Sequence, residues 1–304
     1  MKRFLNWILL LLLILFCIDR GGSFIMNEFY KRSKATDEYK INYVINKMDQ
    51  PVVFMGSSRC HHSYVPSIIS DTLGLPVYNA GLWGERNIYF QYGLLCNVLQ
   101  RYTPKVICLE IHPIDFMLTP FSGIERISPL APFVGMSTGC DSLFKIENKY
   151  IEYKISHLYR YNGILISTVG GCFLSDNSQK DNGYKPLYNI VDLLAKPDEF
   201  SFPIDKQRIQ LLSNFANKCR EKNIELILFC SPMYVVSNSC VKALQYVSTI
   251  AKANHLLYLN YLTDTAFIGK RELFYDRGHF NDKGAKLYSS KIAHELRQIM
   301  GIKK

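Results

Sequence analysis

The chain has 304 residues, 48% of them hydrophobic and 20% charged, and 36 Lys+Arg against 26 Asp+Glu give a formal net charge of +10. This is globular composition with material for one large α/β domain or two small ones, and it excludes a mostly disordered or collagen-like chain. Only one stretch approaches the length and apolarity of a bilayer span, which excludes a multi-span channel or transporter.

Met1-Lys2-Arg3 precedes an apolar run from Phe4 to Ile18, broken only by Asn6 and closed by Asp19-Arg20. A basic start and an apolar centre are the marks of a secretion signal. The positive flank should stay in the cytoplasm, so the rest of the chain should be exported. Three readings compete: an uncleaved membrane anchor over residues 1–26, a cleaved signal that leaves a secreted protein, and a buried soluble helix. The anchor is preferred, because Leu15-Phe16-Cys17-Ile18 lacks the small residues of a cleavage site. Bulky Phe16 also fits poorly before a lipid-modified Cys17. An anchor needs ~20 apolar residues, so the run must draw on Gly21 to Met26.

Residues 27–50 read as a polar, partly helical connector. A strand–helix alternation then begins and runs to residue 302. Strands are predicted at Pro51–Met55, Pro76–Tyr78, Lys105–Ile111, Ile224–Cys230 and His255–Asn260. Helices are predicted at Pro66–Leu73, Asn87–Gln100, Asp205–Arg220, Cys240–Ala253 and Asp282–Met300, the last capped by Asn281 or Asp282. Short strands alternating with helices predict a five-stranded, mainly parallel, doubly wound α/β sheet covered on both faces. Between the third and fourth strands lies an interruption, about 116–203, too long for a crossover loop and read as an insertion. It holds Gly170-Gly171 and a polar loop from Ser175 to Gly183.

None of the nine cysteines forms a Cys-x-x-Cys pair, so no zinc or redox motif is visible, and Cys108 and Cys230 read as core thiols. One disulfide among the loop cysteines stays open. The basic excess is spread along the chain and suits either an anionic surface or ordinary solubility. No nucleic-acid motif accompanies it. Oligomeric state is not legible.

Ligands of a doubly wound sheet sit at the C-terminal ends of the strands. Those ends carry Gly56-Ser57-Ser58-Arg59, Asn79-Ala80-Gly81-Leu82-Trp83-Gly84, Glu110-Ile111-His112-Pro113 and Ser231-Pro232, and Asp276-Arg277-Gly278-His279 follows the fifth strand. Acyl transfer by serine needs a nucleophile, a base, a group to orient that base, and donors for the oxyanion. Ser58 follows a glycine at a strand-to-helix turn, where its hydroxyl and its N–H can face one carbonyl. The three-residue spacing of Asp276 and His279 lets the carboxylate hold one imidazole nitrogen while the other faces Ser58. Gly81 can present a bare N–H. Each piece is weak alone; the weight comes from their order, each after a predicted strand.

That combination resembles the SGNH/GDSL hydrolase superfamily over about Pro51 to Ile302. Gly56-Ser57-Ser58-Arg59 is similar to its first block, with Ser58 in the nucleophile place. Asn79-Ala80-Gly81 is similar to its second block, which implies Gly81 as an oxyanion donor, and Asp276-Arg277-Gly278-His279 is similar to its last. The resemblance implies the three-layer fold, a Ser58/Asp276/His279 triad, and no cofactor. GSSRCHHSYVP with YNAGLWG looks closest to membrane-anchored, surface-acting members, including those that move acyl groups on polysaccharides. One departure stands out. The third block usually reads Gly-x-Asn-Asp and its Asn is a donor, but Glu110-Ile111-His112-Pro113 has no Asn, leaving His112 and Asn87 as candidates.

Plainer roles stand beside these. Ser58 could be a helix N-cap, Asp276/His279 a surface pair, Gly81 a turn glycine needing positive φ, and His112 a satisfied strand-end histidine. Arg59 reads as a surface charge, with binding of an anionic substrate as the alternative. Trp83 reads as packing or as the wall of a sugar subsite. Adjacent His61 and His62 do not read as a metal site. The expected function is an exported serine esterase or O-acyltransferase on acylated cell-surface glycan. The alternative is a catalytically weak or inactive binding module on the same fold.

Overall fold

A computed structural model of the chain describes residues 1–34, 37–84, 86–118, 123–173, 181–191 and 203–302. Five strands, β1 (Val52–Met55), β2 (Val77–Asn79), β3 (Val106–Glu110), β4 (Glu225–Cys230) and β5 (Leu257–Asn260), form one sheet in the order β2-β1-β3-β4-β5. Every pairing is parallel, with Val52 beside both Val77 and Val106, and Ile107 beside Leu226. The strand order reverses direction between β1 and β3, and that crevice is where such sheets bind ligands.

The strands are apolar throughout because both faces are covered. Side chains alternate with the pleat: Val53, Met55, Ile107, Leu109, Leu226 and Leu228 enter one core, while Val52, Phe54, Val106, Cys108, Ile227 and Phe229 enter the other. The first core is closed by α2 (Asp37–Asn46), α5 (Ile88–Val98), α9 (Lys206–Glu221) and α10 (Asn238–Ala253). The second is closed by α4 (Pro66–Leu73) and α11 (Asp282–Ile299), which pack on each other, and by α3 (Ser58–Ser63). Side-chain caps fix several helix starts. Asp205 accepts from the N–H groups of Gln207 and Arg208, and Asn281 accepts from Gly284.

Two features of the N-terminal region add to the expected layout. The first helix, α1, does not stop near residue 26 but runs unbroken over Lys2–Arg32. Its first part is apolar and exposed; its last turns bury Met26 and Tyr30 beside Tyr161. The stretch read as a connector contains α2, whose Ile41, Val44 and Ile45 join the main core, together with Met48 just beyond it. The insertion carries α6 (Thr138–Ile146), α7 (Tyr150–Ile155), α8 (Leu165–Gly171) and 3-10 turns at Ile124–Phe133 and Leu158–Tyr161. Gly170-Gly171 ends α8, and most of the expected polar loop at 175–183 lies outside the described residues. All nine cysteines are free thiols, so no bridge forms among them.

Candidate active site

β1 ends at Gly56, whose φ of +155° suits glycine and where a Cβ would lie 2.7 Å from Cys60 Cβ and 2.9 Å from Glu110 Cβ. The chain therefore turns tightly into α3, and Ser58 becomes its first residue. The Ser58 N–H is one of the donors that a helix start leaves without an intrahelical partner. On the far side of the sheet crevice, Phe274 and Phe280 pair antiparallel, and Tyr275 N–H donates to the His279 carbonyl. This closes a short loop that carries Asp276 and His279.

The three side chains meet. Ser58 Oγ lies 2.7 Å from His279 Nε2. His279 Nδ1 lies 2.9 Å from both carboxylate oxygens of Asp276. Asp276 Oδ1 also accepts the backbone N–H groups of Gly278 and His279, both at 2.8 Å. Burial works to raise the Asp276 carboxyl, but the hydrogen bond and charge of His279 and those two N–H groups outweigh it and hold it below 3.8. An ionised Asp276 fixes the proton on Nδ1, leaving the Nε2 lone pair to accept from the Ser58 hydroxyl.

A cleft of about 220 Å³ opens over this relay, lined by Ser57, Ser58, Gly84, His112, Asp115 and His279 among others. His112 follows β3 and caps the 3-10 turn Pro113–Phe116. Its Nδ1 accepts from Ile114 N–H at 3.2 Å, while Asp115 Oδ2 accepts from His112 N–H at 2.8 Å. Burial, and then the positive Arg59, hold its protonation well below the ordinary range. A neutral ring whose Nδ1 accepts must carry its proton on Nε2, so His112 offers the cleft a donor. Burial also pushes the Asp115 carboxyl up to about 7.

The two glycines sit differently. Gly81 N–H donates to Asn79 Oδ1 at 2.9 Å, and a Cβ on Gly81 would lie 2.4 Å from the His61 nitrogen. Gly81 is thus a close-approach residue packed against α3, with its N–H already occupied and no positive φ. Gly84 instead has the left-handed φ of +79° and lines the cleft. Asn87 is also placed elsewhere: it caps α5 by accepting from Tyr89 and Phe90, and its amide donates to the Gly123 carbonyl.

Arg59 is not a surface charge. It is buried, with Nε 3.2 Å from Glu110 Oε1 and Nη2 donating to the carbonyl and hydroxyl of Ser231. Glu110 also accepts from Tyr64 Oη and, at 2.6 Å, from Ser231 Oγ. The guanidinium therefore ties the residue after Ser58 to the ends of β3 and β4, while Arg59 also lines the cleft and its buried Nη1 has no hydrogen-bond partner among the described residues. Trp83 is 51% exposed and stacks on the His279 ring at 6.2 Å with planes 19° apart, while its edge contact with His62 is 5.1 Å. His62 Nδ1 donates to the Lys185 carbonyl at 2.7 Å, and burial pushes its protonation down to about 4. His61 and His62 are packed as neutral rings, and no cluster of metal-ligating side chains occurs among the described residues.

Lys40 was not singled out by the sequence. It is buried, and its Nζ donates to the carbonyls of Gly81 and Gly183, the latter at 2.7 Å. Burial pushes its ammonium down to about 7. A lysine in an amphipathic helix reads as exposed, and the only signal is its place one residue before Ile41, on the core side of α2.

No family model matches the chain, and no curated protein matches it. Solved structures similar to it include a G-D-S-L family protein from Desulfitobacterium hafniense DCB-2, 13% identical, covering 80% of this chain and 97% of that one with a TM-score of 0.42. A lipase/acylhydrolase from Enterococcus faecalis is 12% identical over 82% of this chain and 95% of that one, TM-score 0.42. An acetyl xylan esterase from the rumen bacterium Butyrivibrio proteoclasticus is 9% identical over 82% and 64%, TM-score 0.35. At TM-scores below 0.5 these likenesses carry no weight for function, which rests on the geometry of the cleft.

Proposed function

We propose that the chain is a membrane-anchored serine esterase or O-acyltransferase of the SGNH type, acting outside the cytoplasm on acylated cell-surface glycan. The observation that carries this is the Ser58–His279–Asp276 relay, 2.7 Å and 2.9 Å long, at the mouth of a cleft. His279 Nε2 takes the proton of Ser58 as Oγ attacks an ester carbonyl, and Asp276 stabilises the imidazolium. The tetrahedral oxyanion is held by the N–H groups of Ser58 and Gly84 and by His112 Nε2–H. Gly84 stands in the place first given to Gly81, and His112 in that of the absent Asn. His279 then returns the proton to the leaving oxygen. The acyl-serine passes its acyl group to water or to a sugar hydroxyl. The exposed face of Trp83 beside His279 supports a sugar ring as substrate, since indole faces pack against apolar ring surfaces while leaving hydroxyls wet.

An anchor is favoured over a cleaved leader because Asp19, Met26 and Tyr30 are all built into the folded domain. Lys2 and Arg3 then mark the cytoplasmic end, and the domain lies on the other side. The test is labelling by a serine-directed phosphonate. Wild type should label and Ser58→Ala should not. Equal labelling of both would remove the assignment and leave the binding-module alternative.

A further inference from the structure

We propose that the insertion between β3 and β4 dips into the lipid interface beside α1, with Ile151 and Ile155 of α7 facing lipid. This rests on α1 being a retained membrane span. The apolar run Phe4–Ile18 measures only about 22 Å as a helix, short of a hydrocarbon core of about 30 Å. The missing length lies beyond the Asp19-Arg20 pair. There, Phe24 and Ile25 are 67% and 56% exposed on α1, and counting to Ile25 brings the span to about 33 Å.

Such a span carries a carboxylate and a guanidinium within it, which bare lipid would not tolerate without partners. The insertion supplies those partners. Asp19 accepts from Ser156 Oγ at 2.5 Å and from the N–H groups of His157 and Leu158 at 3.0 and 3.1 Å. Arg20 pairs with Asp19 at 3.0 Å and reaches the Ile155 carbonyl. Gly22 lets the helices close, since a Cβ there would lie 3.1 Å from Leu158 Cδ2. The segment from Ile155 to Leu158 therefore stands at the depth of Asp19. Ile155 is 71% exposed at that depth, and Ile151, one turn earlier on the same face of α7, is 65% exposed. Lys154 beside them is long enough to lay its stem along this face and carry its ammonium to the headgroups. The occupant is the bilayer itself: the surface is apolar and continuous with the span, and its edge carries Lys154 and the exposed Lys149–Glu152 pair, which remain at headgroup level.

The full chain, with Cys17→Ser, is reconstituted in liposomes of phosphatidylcholine and phosphatidylglycerol. A nitroxide is placed at Ile151→Cys, Ile155→Cys or, for comparison, Lys252→Cys on α10. Native Cys17 is labelled in the unaltered chain to report the span. Collision with lipid-soluble oxygen is compared with collision with a water-soluble nickel chelate, subtracting the Cys17→Ser parent. Positions 151 and 155 should favour oxygen severalfold over position 252, approaching the ratio at Cys17. If 151 and 155 behave like 252 while Cys17 is lipid-exposed, the anchor stands and the insertion does not touch lipid. If Cys17 also behaves like 252, the anchor reading fails and takes this proposal with it.

Discussion

The sharpest test of the cleft concerns His112, the proposed side-chain donor to the oxyanion. Its Nδ1 is occupied by the Ile114 N–H at 3.2 Å, so its donor is Nε2. Replacing it by Phe keeps a ring and deletes both nitrogens. Loss of one oxyanion donor costs about 10²–10³ in kcat, or about 2.7–4 kcal/mol of transition-state stabilisation. KM should change little, because the donor strengthens its bond only as the carbonyl oxygen becomes charged. Ile114 N–H also loses its acceptor, a cap loss of about 1 kcal/mol in stability. His112→Asn separates the two effects: its Oδ1 can still accept from Ile114, while its amide N–H sits one bond short of the position of Nε2. The Asn variant should therefore melt close to wild type and recover only part of the rate. The assay is steady-state turnover of a nitrophenyl ester, with a thermal melt in the same detergent. A Phe variant within threefold of the wild-type kcat would refute His112 as a donor.

Two further outcomes follow from buried charges outside the relay. Arg59→Met strands the Glu110 carboxylate without its cation, and breaking a buried pair from one side costs about 3–5 kcal/mol; a denaturant midpoint that barely moves would contradict the tie described here. Lys40 gives a pH dependence with a definite sign. Its folded value near 7 lies below its ordinary 10.5, so between those values the unfolded chain binds a proton that the folded chain has released. Stability contributed through Lys40 therefore rises with pH across that window and is lowest below about pH 7. Lys40→Met removes this dependence, and wild type should gain on the mutant by about 2–3 kcal/mol from about pH 7.5 to 9.5. A difference that stays flat with pH would show that the ammonium is not buried.

The sheet was legible because its physics is local. Val52–Met55, Val106–Glu110 and Glu225–Cys230 are short apolar runs stopped by turn residues, and a parallel sheet covered on both faces produces such runs. The start of α11 at Asn281 was legible for the same reason. Ser58, Asp276 and His279 could be singled out because each follows a strand or precedes a helix at a fixed offset. Arg59 could not be placed correctly, since arginine is usually exposed and its partner Glu110 lies 51 residues away. Only the intrusion of Glu110 at the end of an apolar strand hints at a buried counter-charge. The closeness of Gly81 to α3 and the left-handed φ of Gly84 are three-dimensional facts that the sequence does not carry. The N-cap duty of Asn87 was readable from its place before a helix.

The elements that escaped the sequence also join the N-terminal helices of the chain to the reacting end. α2 follows α1 directly, and its Lys40 grips the carbonyls of Gly81 and Gly183. Gly81 is wedged against the backbone of His61, three residues past Ser58 on the same short helix. Asn79 N–H donates to the Asn182 carbonyl and Lys185 N–H to that of His61, so a segment late in the insertion is tied to the same two turns. A six-residue helix is too short to hold its own geometry, and its position must come from tertiary contacts. For α3 those contacts are Arg59 on one side and the Gly81 turn, braced by Lys40, on the other. The position of Ser58 is therefore set by side chains outside the Ser58–His279–Asp276 relay, and one of them, Lys40, belongs to the helix after α1.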